Sequence, residues 1–201
     1  MSIRAVIFDF GGVLVRTEDP APRDRLAERL GFSSAELSRI IFEGESAILA
    51  TVGQMTTAAH WEVVRQMLKL SAEELPNVPL EFWGGDQLDE DLIRFLRALR
   101  PRYKTVLLSN AWDDLRLVIE ERWKIADAFD EIFISAELGL AKPDPRLYQQ
   151  VLDRLAVQPA EAVFVDDFPE NVEGARAAGM QAIHFRAREQ ALEELGNVLD
   201  R

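Results

Sequence analysis

The stretch "RAVIFDFGGVL", residues 4–14, decides the fold. A short apolar run of Ala, Val, Ile and Phe ends on Asp9, and Gly11 and Gly12 follow almost at once. A run this short and continuously apolar reads as a strand covered on both faces, as in a parallel sheet. Asp9 then stands at the mouth of a glycine-rich turn. A single carboxylate there has three readings: a nucleophile, a metal ligand or a turn-former. The last is the commonest for an isolated Asp before glycines, so the decision rests on the rest of the chain.

Working outward, three runs of the same kind follow: "KTVLLSN" (104–110), "AVFVDD" (162–167) and "AIHF" (182–185), with a weaker "EIFIS" at 131–135. Helical spacing lies between them, in "LDEDLIRFLRALR" (88–100), "DDLRLVIEERW" (113–123), "DPRLYQQVLDRL" (144–155), "PENVEGARAAG" (169–179) and "EQALEELGNVLD" (189–200). Strand and helix in alternation predict a doubly wound, Rossmann-like α/β sheet. Residues 16–85 break the alternation. They hold helical pieces: "PAPRDRLAERLG" ending at Gly31, a capping box at Ser33 and Glu36, a helix opening at the threonines of "TTAAHW", and a second capping box at Ser71 and Glu74. No strand is evident there. The expected organisation is therefore an α/β core of residues 1–15 and 86–201, with residues 16–85 as a small helical insert.

Composition bounds the function. With 35 acidic against 23 basic residues, the net charge is -12. Such a surface repels phosphate backbones and anionic lipid, so neither nucleic acid nor membrane is expected as a partner. No run reaches the length of a membrane span, and "MSIRAVIFDF" lacks the pattern of a signal peptide. The chain has no Cys, which rules out thiolate catalysis and zinc–cysteine sites and fits a cytoplasmic setting.

In an open α/β sheet, ligands sit at the carboxyl ends of the strands. There the sequence places Asp9, then Ser109 and Asn110, then Asp166 and Asp167. Three carboxylates in one crevice repel one another unless a cation relieves them, and hard oxygen ligands suit Mg²⁺. Lys142, in the loop "GLAKPDP" (139–145), can reach the same crevice. The three carboxylates, Lys142 and one divalent cation together carry no net charge, so the crevice can take a phosphate despite the acidic surface.

Four motifs, "FDFGGVL" (8–14), "LLSNA" (107–111), "GLAKPDP" (139–145) and "VFVDDFPENVEGARAAGM" (163–180), stand in this order across the whole sheet region. In them the chain resembles the haloacid dehalogenase-like hydrolase superfamily, and within it the phosphatases with a small helical cap. The resemblance implies a five-stranded parallel core with the Asp9 strand central, and a cap formed by residues 16–85. It implies that Asp9 attacks phosphorus to form an aspartyl-phosphate. Ser109 and the amide of Asn110 would bind phosphoryl oxygens, and Lys142 would balance their charge. Asp167, helped by Asp166, would hold Mg²⁺ beside Asp9 and the carbonyl of Gly11. The implied partner is a small phosphorylated metabolite.

One position departs from the pattern. Most phosphatases of that superfamily carry Asp where this chain has Gly11. That Asp supplies acid–base help, typically worth about 10² to 10⁴ in rate; the metal needs only the carbonyl, which Gly11 keeps. Two solutions remain open. The substrate's leaving group needs little protonation, as in an anomeric sugar phosphate or an acyl phosphate, or another group, such as Glu18 or a cap residue, gives the proton. Superfamily members that carry Gly here and act on sugar 1-phosphates resemble this chain. The dehalogenase branch attacks carbon without a metal, typically with Tyr at the Gly11 position and Ser-Asn in place of the acidic pair; this chain has neither feature. The same motifs would also suit a catalytically silent binding homologue or a phosphotransferase.

The remaining residues read as structural. His60 and His184 lie far apart and lack a ligand pattern. Trp61, Trp83 and Trp123 read as packing residues, while Trp112, directly after "SNA", is expected at the crevice mouth. Asp113 or Asp114 fits a helix cap better than a substrate contact. The charged stretches 18–29 and 188–201 read as solvated helix faces, Gly174 as a close helix contact and Gly179 as a helix stop.

Overall fold

Ala5, Val6, Ile7 and Phe8 are all sealed from solvent, and they form β1 (Ala5–Phe8), the middle strand of the main sheet. The computed structural model describes residues 2–199. From β1 the chain runs through β2 (Val15–Thr17), α1 (Ala21–Leu30), α2 (Ser34–Phe42), α3 (Glu45–Thr51), α4 (Thr57–Met67) and α5 (Asn77–Phe82). It returns by β3 (Asp86–Leu88) to α6 (Glu90–Leu99), β4 (Lys104–Ser109), α7 (Leu115–Leu117), β5 (Glu131–Ile134), α8 (Ser135–Leu138) and α9 (Pro145–Leu155). It ends with β6 (Ala162–Asp166), α10 (Pro169–Ala177), β7 (Gln181–His184) and α11 (Arg188–Leu199).

The main sheet has five strands in the order β5-β4-β1-β6-β7, all parallel. This is the doubly wound sheet with Asp9 at its centre that the sequence led us to expect. Side chains alternate along each strand. Val6, Phe8, Leu107, Val163 and Val165 face one apolar layer with α6 and α11. Ala5, Ile7, Leu108, Ala162 and Phe164 face the other, with α9 and α10. The chain builds β4 and β5 on one side of β1, then crosses to build β6 and β7 on the other. Strand order thus reverses at β1, and the crevice opens at its carboxyl end.

Helices α1 to α5 have an apolar cluster of their own, centred on Leu26, Leu37, Ile41, Val64 and Phe82. This stretch is closed by two three-residue strands that the sequence did not reveal, β2 pairing antiparallel with β3 from Val15–Leu88 to Thr17–Asp86. Asp89 ties the base of this ribbon. It caps α6 by accepting from the Leu92 N–H at 3.0 Å, and it takes Arg16 at 2.8 Å and Arg188 at 3.2 Å.

Several local expectations shift. The helix expected over 88–100 starts at Glu90, because Leu88 pairs in β3. That expected over 113–123 is α7 followed by one π-helical turn, Val118–Arg122. The second capping box forms its hydrogen bonds between Ser71 and Glu74, at 2.9 and 3.3 Å, but encloses turns rather than a helix. Helices α3 and α8 carried too few residues to show as periodicity. The expected helix over 189–200 is found as α11; Asp200, like Arg201 of the 188–201 charge cluster, lies outside the described residues. Gly174 is a close contact as expected, since a Cβ there would lie 3.0 Å from Pro143. Among the described residues, no helix is long and apolar enough to cross a membrane.

Candidate active site

Parallel pairing brings the ends of β1, β4 and β6 side by side, so Asp9, Ser109 and Asp166 meet at one edge. Lys142 enters from the loop before α9 and is the charge they share. Its Nζ lies 2.8 Å from Asp9 Oδ1, 2.7 Å from Asp166 Oδ2 and 3.1 Å from the Leu108 carbonyl oxygen. Those contacts use all three ammonium protons. The lysine side chain is 1% exposed. Burial works against the ammonium, but the two carboxylates outweigh it and raise the Lys142 pKa. Burial also pushes the Asp9 carboxyl up to about 6, against the pull of Lys142 and with the push of Asp166.

The two oxygens of Asp9 differ. Oδ1 accepts from the Phe10 N–H at 2.7 Å and from Lys142. Oδ2 has no hydrogen bond to the described residues and is left to face a ligand.

The adjacent acids differ more. Asp166 is fully buried. Besides Lys142, it accepts from the Phe168 N–H at 2.8 Å and from Asn171 Nδ2 at 3.1 and 3.2 Å. Asp167 is half-buried, and its Oδ1 is sealed with no hydrogen-bond partner among the described residues. Burial, then Asp166, raises its pKa. Gly12, in the left-handed region at φ 77°, lies against this carboxylate: a Cβ there would stand 2.1 Å from Asp167 Oδ2. Asp9, Asp166 and Asp167 each offer an oxygen within 4.8 Å of the others. A buried carboxylate oxygen without a donor, beside two more carboxylates, is chemically a seat for a hard divalent cation.

Ser109 ends β4, nearly buried. The Asn110 side chain is committed elsewhere: its Nδ2 donates to the Lys142 carbonyl at 2.8 Å and its Oδ1 accepts from the Lys142 N–H at 2.7 Å. The side chain thus fixes the lysine loop, and the backbone N–H is what Asn110 can offer to a ligand. Gly11 is exposed, and a Cβ built on it meets nothing within 4 Å. Glu18 is turned to Arg16, at 3.2 Å.

Trp112 does not line the crevice mouth. It is 9% exposed and packs into the apolar cluster of α1 to α5. Asp113 caps a helix, but not its own: its Oδ1 accepts from the Thr57 N–H at 2.9 Å and the Thr57 hydroxyl at 2.5 Å, at the start of α4. Asp114 accepts from the same hydroxyl at 3.2 Å. Each histidine has one ring nitrogen hydrogen-bonded within the fold, and His60 Nε2 is buried with no partner among the described residues. His60 Nδ1 pairs with Ser46 Oγ at 2.9 Å, and His184 Nε2 meets the Asp167 carbonyl oxygen at 3.0 Å, steadying the acidic turn.

Two supporting residues escaped the sequence reading. Ser135 Oγ accepts from the Ala111 N–H at 2.9 Å and donates to the Ala111 carbonyl at 3.1 Å, fixing the turn after Ser109. Asn171 holds Asp166 and is itself set by Tyr148, whose hydroxyl donates to its carbonyl at 2.8 Å. Ser135 directly follows the apolar run of β5, and Asn171 stands two residues into a polar helix, so neither stands out in the sequence.

The fold agrees with the comparisons. The family model of haloacid dehalogenase-like hydrolases matches residues 3–179, and the chain belongs to that family of hydrolytic enzymes. Bifunctional epoxide hydrolase 2 of Sus scrofa is 28% identical over 98% of this chain, which spans only 39% of that relative's length. D-ribitol-5-phosphate phosphatase of Bacteroides thetaiotaomicron is 26% identical over 89% of this chain and 90% of its own. A solved Bacteroides thetaiotaomicron enzyme of the same family, in complex with magnesium and inorganic phosphate, superposes with a TM-score of 0.79. It is 22% identical and covers 93% of this chain and 96% of that one.

Proposed function

We propose that this hydrolase is a Mg²⁺-dependent phosphatase that acts on a small phosphorylated metabolite through an aspartyl-phosphate at Asp9. One observation carries the reading: the partnerless Asp167 Oδ1, buried beside Asp9 and Asp166. Asp167, Asp9 and the Gly11 carbonyl would hold the cation, with Asp166 behind them anchoring Lys142. When bound, the cation draws charge from phosphoryl oxygens and relieves the carboxylates.

The chain's own groups do the rest. Asp9 Oδ2 attacks phosphorus, and the bond from phosphorus to the leaving oxygen breaks. Lys142 keeps Oδ1 ionised and offsets the charge of the phosphoryl group, while the Ser109 hydroxyl and the Asn110 N–H bind the equatorial oxygens. Gly11 offers no proton, so the departing oxygen takes one from water. A second water then attacks phosphorus and gives up a proton to the hydroxide left by the first, the bond between the Asp9 oxygen and phosphorus breaks, and phosphate leaves with Asp9 restored. The similarity to a ribitol-phosphate phosphatase over most of both chains supports this reading and a sugar phosphate as the substrate type. Residues 16–85 would form the cap over a core of 1–15 and 86–201, in a cytoplasmic setting.

Dehalogenation is disfavoured by the same acids, because a buried acidic pair repels the carboxylate of a haloacid. The test is phosphate release from aryl, alkyl and sugar phosphates with and without Mg²⁺, with Asp9→Asn as the blank. Metal-dependent release lost in Asp9→Asn is the expected result. Turnover that survives Asp9→Asn would sink the mechanism, and no turnover of any ester would favour the silent binding homologue.

A further inference from the structure

Ser109 to Asp113 are five consecutive residues, and each has an attachment of its own. Ser109 closes β4 at the nucleophile. The Asn110 side chain grips the backbone of Lys142 from both sides. The Trp112 ring is buried in the helical cluster, with centroids 4.4 Å from His60, 5.9 Å from Trp61 and 5.9 Å from Phe42. Asp113 receives both the N–H and the hydroxyl of Thr57.

The receiving surface is one helix face. Thr57, His60, Trp61 and Val64 of α4 are all buried, at the spacing of a single stripe. Its first three members hold Asp113 and Trp112. A second contact lies next to it. Gly53, just before α4, approaches α8 so closely that a Cβ on it would stand 2.0 Å from the Ala136 carbonyl oxygen. The neighbouring Ser135 is the residue that fixes Ala111. The turn after β4 is therefore held by α4 on one side and α8 on the other.

We propose that Trp112 and Asp113 are positioning residues, which make the seating of α4 and the phosphate-binding geometry of Ser109 and Asn110 a single mechanical unit. Neither touches the reacting atoms. They act through the two residues that precede them, so a change on α4 alters the affinity for phosphate without touching the phosphate. The inference rests on the proposed role of Ser109 and Asn110 as phosphate ligands.

Thr57→Val tests it, because it keeps the side chain's shape and removes the hydroxyl bound to Asp113. Affinity for inorganic phosphate in the presence of MgCl₂ is measured by titration calorimetry for wild type, Thr57→Val, Thr57→Ser and Ser109→Ala, with circular dichroism as the folding control. The expected result is a loss of roughly three- to tenfold in Thr57→Val, within the usual range of coupling between contacting groups, and recovery in Thr57→Ser. A merely structural Thr57 lowers the melting temperature and leaves phosphate affinity within about twofold of wild type, and that result overturns the proposal. If Thr57→Val does not fold, Asp113→Asn is read the same way from the other side of the contact. Ser109→Ala binding as wild type does, or no saturable binding by wild type, would instead bring down the phosphate-site reading itself.

Discussion

Gly12 and Asp167 are in contact through the space where a side chain would be: a Cβ on Gly12 would lie 2.1 Å from Asp167 Oδ2. Gly12→Ala must move the acidic turn as well as strain a backbone at φ 77°. We expect Mg²⁺ affinity and phosphate release to fall at least about tenfold, as for loss of a supporting contact at a metal site. Gly11→Ala is the control, since its Cβ meets nothing within 4 Å, and should leave Mg²⁺ affinity close to wild type. A magnesium titration of both variants decides the matter. An unchanged Gly12→Ala would mean that Asp167 does not hold the cation.

The open space at Gly11 makes a gain of function testable. Gly11→Asp should raise kcat/KM for alkyl phosphates by about 10² or more, the scale of general acid–base help. Aryl phosphates should gain far less, because their leaving groups need little protonation. Equal gains for both ester types would refute the idea that only the proton is missing.

Burial at Asp9 sets a pH dependence of stability. The carboxyl is raised to about 6 in the folded chain, above its ordinary value of about 3.9. Its contribution is therefore fully present below about pH 3.9 and lost as pH rises through about 6. At pH 7.5 with chelator, Asp9→Asn should melt a few degrees above wild type, the scale expected for one or two kcal/mol in a chain of this size. The margin should narrow on acidification below pH 6. A lower melting temperature for Asp9→Asn at pH 7.5 would show that the Lys142 pairing outweighs the cost of burial.

Lys142 gives the opposite result. Lys142→Met strands Asp9 and Asp166 as buried, unpaired carboxylates, and breaking such a pair from one side costs about 3–5 kcal/mol. Urea unfolding at pH 7.5 should show that loss, and added Mg²⁺ should recover part of it. A loss below about 1 kcal/mol would mean that water reaches the two carboxylates at little cost.

What the sequence revealed follows from where each signal lies. Asp9 and Asp166 were legible because each ends a strand buried on both faces, which writes itself as an unbroken apolar run. α1 and α2 were legible through their ends, Gly31 and the Ser33–Glu36 box. β2 and β3 were not, because three residues such as Val15–Thr17 make no period, and their pairing spans the whole helical stretch. Trp112 was misplaced for a related reason. Its neighbours in sequence belong to the crevice, but its packing partners are some 50 residues away, on α4. Neither the commitment of the Asn110 side chain to Lys142 nor the partnerless oxygen of Asp167 has a sequence signature, since both are facts of geometry.

Lys142 is one of four lysines in the chain. Lys69, Lys104 and Lys124 are exposed, while Lys142 is shut away with every proton taken. An acylating reagent therefore meets three amines at once and the fourth only when the crevice comes apart. The chain thus carries its own clock: the lag before Lys142 is labelled records how often the site opens, and whatever binds there will lengthen it.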